Sequence, residues 1–112
     1  MSQLTTHILD TSKGKPANGI PVVLCRYSAN KWKEIARGVT DEDGRITDLL
    51  AKTKTLELGT YKLRFEVHHY FARHSIQTLY PYIEIVFQVT TGEHYHIPLL
   101  LNPFGYSTYR GS

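Results

Sequence analysis

Thr60-Tyr61-Lys62-Leu63-Arg64-Phe65-Glu66-Val67-His68 is the stretch on which the fold turns. Tyr61, Leu63, Phe65 and Val67 alternate with Lys62, Arg64, Glu66 and His68. A period of two sends the two sets to opposite faces of an extended chain, so the segment predicts a strand with one dry and one wet face. The same short, turn-bounded pattern recurs in both directions from it. Leu4–Leu9, Ile20–Tyr27, Lys31–Thr40, Arg45–Thr47, Tyr82–Val89, His94–Leu101 and Phe104–Tyr109 read as further strands. Thr11–Gly19 reads as a loop, and Asp41-Glu42-Asp43-Gly44 as a turn whose glycine supplies a positive φ. Tyr70–Ser75 is the candidate for a single short helix. About eight short strands at this spacing predict an all-β protein, a two-sheet β-sandwich with one short helix.

The bulk composition agrees with one such unit. A chain of 112 residues holds one core and is too short for two, so residues 1–112 are expected to form a single domain. With 41% hydrophobic and 21% charged residues the composition is that of a globular protein, not a disordered one. Eight Tyr, four Phe and one Trp suit strands. The 13 Lys and Arg give a net charge of +3 but are scattered, so the dense basic patch that binds nucleic acid is missing. No apolar run approaches the roughly 20 residues that cross a bilayer. The first residues carry no basic-then-apolar secretory pattern, so a cytoplasmic location is expected. Cys25 is the one cysteine, which leaves no disulfide within the chain and fits a reducing compartment.

Alternation also says where the proton-carrying groups go. In His94–Leu101 the set Tyr95, Ile97, Leu99 and Leu101 is the better core face, which leaves His94, His96, Pro98 and Leu100 outside. In the first strand Leu4, Thr6 and Ile8 take the core, less cleanly, and Thr5, His7 and Leu9 lie outside. In the last strand Phe104 and Tyr106 are expected inside, with Ser107 and Tyr109 outside. Should these strands share a sheet, His7, His96 and Tyr109 converge on its outer face. Leu9, Pro98 and Leu100 make that face partly apolar, as a surface covered by a second subunit would be.

Each residue also has a plainer reading. A lone strand histidine is more often structural than catalytic. His94 and His96 form a His-x-His pair able to ligate zinc, but no third ligand is marked by spacing. His68 and His69 read as surface residues ahead of the helix, Arg45 as a solvated charge after a turn, and Cys25 as a small buried residue. No nucleophile elbow, phosphate-binding glycine loop or paired-carboxylate motif is present.

Specific motifs carry a family resemblance. Thr5-Thr6-His7-Ile8-Leu9-Asp10-Thr11, Gly14-Lys15-Pro16-Ala17, Ile20-Pro21-Val22 and Thr40-Asp41-Glu42-Asp43-Gly44-Arg45 resemble successive segments of the transthyretin-like 5-hydroxyisourate hydrolases. So do His94-Tyr95-His96-Ile97-Pro98-Leu99-Leu100-Leu101, Asn102-Pro103, Tyr106-Ser107-Thr108 and the terminal tetrapeptide Tyr109-Arg110-Gly111-Ser112. The resemblance spans essentially the whole chain. It implies a homotetramer of sandwiches with sites in a channel between dimers and no cofactor; from the spacing alone no metal site is assigned. It also implies hydrolysis of 5-hydroxyisourate to 2-oxo-4-hydroxy-4-carboxy-5-ureidoimidazoline in urate degradation.

Within that family, His7 and His96 are the expected proton carriers, and Arg45 the expected holder of a substrate oxygen. Ser112 can orient water or a histidine through its hydroxyl or the chain-end carboxylate. Tyr109 walls the pocket, and Gly111 allows a close turn of the backbone. Transthyretins that carry thyroid hormone share the fold but lack the tetrapeptide and the equivalents of His7, Arg45 and His96. A non-catalytic binder of small ligands or thyroid hormone is therefore the main rival, and a generic β-sandwich interaction module the second.

Overall fold

The computed structural model describes residues 2–111. Nine strands and one helix follow in the order β1 (Leu4–Asp10), β2 (Lys15–Pro16), β3 (Pro21–Ser28), β4 (Lys31–Val39), β5 (Arg45–Ile46), β6 (Gly59–Phe65), α1 (His68–Arg73), β7 (Ile83–Val89), β8 (Tyr95–Asn102) and β9 (Gly105–Thr108). One sheet runs β2-β1-β8-β9, with β5 also paired to β1; the other runs β4-β3-β6-β7. The two sheets enclose one cluster of apolar side chains, among them Leu4, Ile8, Leu24, Tyr61, Leu63, Phe65, Leu99 and Leu101. Each such side chain contributes roughly 1.5–3 kcal/mol relative to leaving it in water.

The alternation that predicts β6 holds: Tyr61, Leu63 and Phe65 are inside. Opposite them, Lys62 pairs with Glu84 at 2.8 Å, and Arg64 pairs with Glu66. The strand stops at Phe65, three residues earlier than the alternation suggests, because Val67 becomes the cap residue of α1. The helix accordingly occupies His68–Arg73 and not Tyr70–Ser75, and His68 and His69 are its exposed first residues. It docks through buried Tyr70 and Phe71. The Tyr70 hydroxyl donates to Asp10 Oδ2 at 2.7 Å. Burial alone would raise the Asp10 pKa, but hydrogen bonds from Ser12, Tyr70 and Lys13 outweigh it and hold the carboxyl below its ordinary value.

Three further expectations are corrected. The Thr11–Gly19 loop contains β2, whose two residues pair with Leu9 and Asp10. The last strand is shorter than Phe104–Tyr109: Phe104 lies in the turn before β9 and is 66% exposed. Tyr106 stands opposite buried Leu101, on the core side, yet is 45% exposed. It sits on the terminal strand of the sheet, where one flank has no neighbour within the described residues, and meets the Tyr80 ring edge-on at 5.2 Å.

The turn before β5 is built as its sequence requires. Gly44 has φ +72°, and a Cβ there would lie 2.5 Å from the Ile8 carbonyl oxygen. Asp41 Oδ1 accepts from the backbone N–H of Asp43 and of Arg45, which closes the turn and starts β5 beside β1.

Candidate functional site

Two pairings assemble the site. β1 and β8 run parallel, with Thr5 opposite His96 and His7 opposite Pro98. β5 pairs antiparallel with β1, with Arg45 opposite His7. The core side of β1 is Leu4, Thr6 and Ile8, all buried. Thr6 lies there without penalty because its hydroxyl donates to the Ile97 carbonyl at 2.6 Å. Thr5, His7 and Leu9 therefore face outward, and so do His96, Pro98 and Leu100 from β8.

His7, Arg45 and His96 thus share the outer face of one sheet, as alternation predicts for the two histidines. His7 is diagonal to His96, which at ordinary strand spacing and rise puts their backbones roughly 8 Å apart. Arg45 adjoins His7 from β5, on the other flank of β1 from His96.

His96 is the most constrained member. Its Nδ1 is 2.8 Å from Thr5 Oγ1, and its carbonyl accepts the Gly111 N–H at 2.8 Å. Gly111 is bridged to His96 in the register that β9 begins with Leu99 opposite Thr108. The approach is close: a Cβ on Gly111 would lie 2.5 Å from His96 Cδ2. Half-burial is the first cause that lowers the His96 pKa below the ordinary imidazole value, followed by the charges of His7, His94 and Arg45. Such a ring is neutral and basic at neutral pH, the state of a general base.

The remaining expected residues are spread differently. Tyr109 is 57% exposed and, in step with the same register, stands opposite Pro98; it also borders a cleft of about 320 Å³ between β7 and the chain after β9. Ser112 lies outside the described residues. His94 and His96 stack with ring centroids 6.5 Å apart, and among the described residues no group of three His, Cys, Asp or Glu side chains is placed to hold a metal. Cys25 is buried, as expected, and burial pushes its thiol pKa up. Its cover comes from the outer face: it pairs with Lys62 and with Glu34.

Thr5 is the site residue that alternation alone does not single out. It is buried beneath the two histidine rings, with its hydroxyl also 3.0 Å from His94 Nε2. Its one sequence signal is a place two residues before His7, on the same face. Four clefts of about 300 to 430 Å³ lie elsewhere on the chain, and His7, Arg45 and His96 line none of the four. In the single chain the site is an open sheet face.

A β-sandwich presenting two histidines and an arginine on the outside of one sheet defines a class that the comparisons identify. The model of the HIUase/Transthyretin family matches residues 4–111, and the chain belongs to that family. It is 46% identical over 110 residues to the 5-hydroxyisourate hydrolase of Salmonella typhimurium, covering 97% of this chain and 80% of the relative. It is 43% identical over 114 residues to that of Mus musculus, covering 99% and 96%. Among solved structures, the 5-hydroxyisourate hydrolase of Klebsiella pneumoniae matches with a TM-score of 0.86 and 40% identity, over 97% of this chain and 98% of the other. Sea bream transthyretin, solved with thyroxine, matches with a TM-score of 0.90 but 31% identity, over 97% and 94%. Backbone likeness does not separate the two kinds of relative, whereas sequence identity is higher to the hydrolases.

Proposed function

We propose that this chain hydrolyses 5-hydroxyisourate, opening its six-membered ring with water in the breakdown of urate. The observation that carries the proposal is the convergence of His7, Arg45 and His96 on one sheet face, in a chain whose identity to the hydrolases exceeds its identity to a thyroxine-bound relative. The product is 2-oxo-4-hydroxy-4-carboxy-5-ureidoimidazoline.

The chemistry divides among few groups. Attack on a ring carbonyl needs a base for water, an acid for the leaving nitrogen and a donor for the developing oxyanion. His96, neutral and anchored, is the base; His7, diagonal to it, faces the same substrate and exchanges protons with it. Arg45 offers a planar fork of donors that binds a carbonyl oxygen or a substrate anion in two places. Tyr109 walls the pocket. Ser112 follows Gly111 and is assigned to the site by the tetrapeptide it completes.

A homotetramer supplies what the open face lacks. Leu9, Leu100 and exposed Tyr109 share the face with the histidines, and β7 and β9 are the terminal strands of their sheets. Sheet edges with exposed apolar groups such as Val86 and Tyr106 suit pairing with a second copy. We assign the enzyme to the cytoplasm, whose reducing conditions suit its buried free thiol. No helix among the described residues is long and apolar enough to cross a membrane.

The test is the decay of freshly generated 5-hydroxyisourate, followed by absorbance with and without the protein. Acceleration is expected, with a loss of about 10²–10⁴-fold in His7→Ala and His96→Ala. Arg45→Lys keeps the charge but loses the fork, and falls substantially. A wild-type protein that leaves the spontaneous rate unchanged while binding thyroxine would favour the hormone-binding alternative.

A further inference from the structure

On the basis of that hydrolase activity, we propose that Thr5 and His94 form a proton relay that connects the His96 ring to solvent and selects which of its nitrogens is protonated. Thr5 Oγ1 stands 2.8 Å from His96 Nδ1 and 3.0 Å from His94 Nε2. Thr5 is 4% exposed, whereas His94 is exposed and borders a cleft of about 300 Å³ together with Lys52 and Lys54. The two imidazoles lie nearly parallel with ring centroids 6.5 Å apart, and the one hydroxyl is within hydrogen-bond distance of both.

A hydroxyl has one proton to give and lone pairs to receive. The chain therefore has two consistent directions. In the first, His96 Nδ1–H donates to Thr5 and the Thr5 hydroxyl donates to His94 Nε2, which leaves His96 Nε2 unprotonated and basic. In the second, His94 Nε2–H donates to Thr5, Thr5 donates to His96 Nδ1, and His96 carries its proton on Nε2 as an acid. A base and an acid are the two states hydrolysis needs in turn.

The charges around the ring explain why a relay is useful. The charges acting on His96 are His7 on β1, Arg45 on β5 and His94, which lies just before β8. The His94 carbonyl accepts from Arg110, which also meets Glu93 at 3.5 Å. An imidazolium at His96 would form half-buried and against the charges of His7, His94 and Arg45. In the base step, His96 Nε2 takes a proton from water, its Nδ1 proton passes to Thr5, and the Thr5 hydroxyl proton passes to His94 Nε2. The positive charge arrives on exposed His94, which releases its Nδ1 proton to solvent. In the acid step the chain runs backwards. His94 takes a proton from solvent, Thr5 receives the His94 Nε2 proton, His96 Nδ1 receives the Thr5 proton, and His96 Nε2 protonates the leaving nitrogen. One proton leaves and one returns, so the chain is reset. The carboxylic acid of the product ionises separately. Thr5 and His94 act through His96 and are positioning and relay residues.

The experiment compares wild type, Thr5→Val, Thr5→Ser and His94→Gln, by kinetics with 5-hydroxyisourate and by ¹⁵N spectra of the His96 ring. Thr5→Val keeps the shape and strand preference, and is expected to lower kcat at least about tenfold with little change in KM. Thr5→Ser recovers most of the loss. His94→Gln, at an exposed position, lowers kcat less, and added imidazole buffer restores it. In wild type the His96 nitrogens give shifts averaged between two tautomers, and in Thr5→Val they collapse to one. Wild-type kcat in Thr5→Val, or no effect of imidazole on His94→Gln, overturns the relay. Failure of the wild type to accelerate the reaction overturns the hydrolase activity instead. The spectra then decide the relay alone: His96 shifts identical in wild type and Thr5→Val overturn it, and the collapse supports it.

Discussion

Replacing Gly111 with alanine tests how the site is held together. Gly111 has no positive φ to preserve, so alanine is compatible with its backbone. The added methyl meets the His96 ring, at 2.5 Å from Cδ2 and 3.2 Å from Cγ. Carbon atoms rest about 3.5–4.0 Å apart, so the overlap is about 1 Å or more. The far side of the ring is held by Thr5 at 2.8 Å, and the Gly111 N–H is held by the His96 carbonyl at 2.8 Å. One of these must yield. Turning the ring about 30° off its rotamer costs about 0.5–1.5 kcal/mol, and losing the Thr5 hydrogen bond about 1 kcal/mol more. A catalytic group displaced by about 1 Å costs on the order of 10²-fold in rate. Gly111→Ala is therefore expected to lower kcat for 5-hydroxyisourate about 10²-fold and, at the cost just given, to lower the melting temperature by roughly 4–8 °C for each kcal/mol lost. In a His96→Ala background the same change should cost little further, since the clash is gone. Wild-type kcat in the single variant would refute the tight packing of Gly111 on His96.

Other outcomes follow from the same geometry. Because the His96 pKa is lowered, the base is lost only when pH falls below the ordinary imidazole value of about 6.5, so the acid limb of kcat/KM should have its midpoint under that value. Arg45→Gln removes one lowering charge and should move the midpoint up, whatever it does to the height. The folded protein then binds fewer protons than the unfolded chain, so His96 also costs stability as pH drops through that range; urea titrations between neutral and acid pH check the sign. Gly44→Ala puts an L side chain at φ +72° with its Cβ 2.5 Å from a backbone oxygen, and should cost at least about 2 kcal/mol in urea unfolding. Tyr70→Phe leaves buried Asp10 short of one donor, and should cost about 1–3 kcal/mol and shift acid unfolding to higher pH, because the Asp10 carboxyl loses part of what holds its pKa down.

The strands, the one helix and the inward and outward faces were readable from the chain because they depend on neighbours one to four residues away. Tyr61, Leu63 and Phe65 could face only one way once Lys62 and Arg64 faced the other. Asp41 and Gly44 fixed their turn through contacts within five residues. The outward placing of His7 and His96 came from the same local rule, and the family motifs around them carried the chemistry. Boundaries were less well determined, as the end of β6 shows: Val67 satisfies both an alternating pattern and the start of α1, and only docking of Tyr70 and Phe71 against the core decides between them.

Tertiary structure alone decided which outward groups meet. Thr5 and His96 are 91 residues apart in sequence, and nothing near either predicts that β1 runs parallel to β8 and pairs with it in that register. A shift of one residue would have turned the His96 ring into the core and Tyr95 out. Burial of Leu99 and Leu101 against the opposite sheet forbids that shift and so sets the contact between Thr5 and the two histidines. The role of Gly111 has the same origin, since it is space beside His96, not backbone conformation, that excludes a side chain there. Side-chain direction is a property of the strand, but proximity between strands is a property of the packed core.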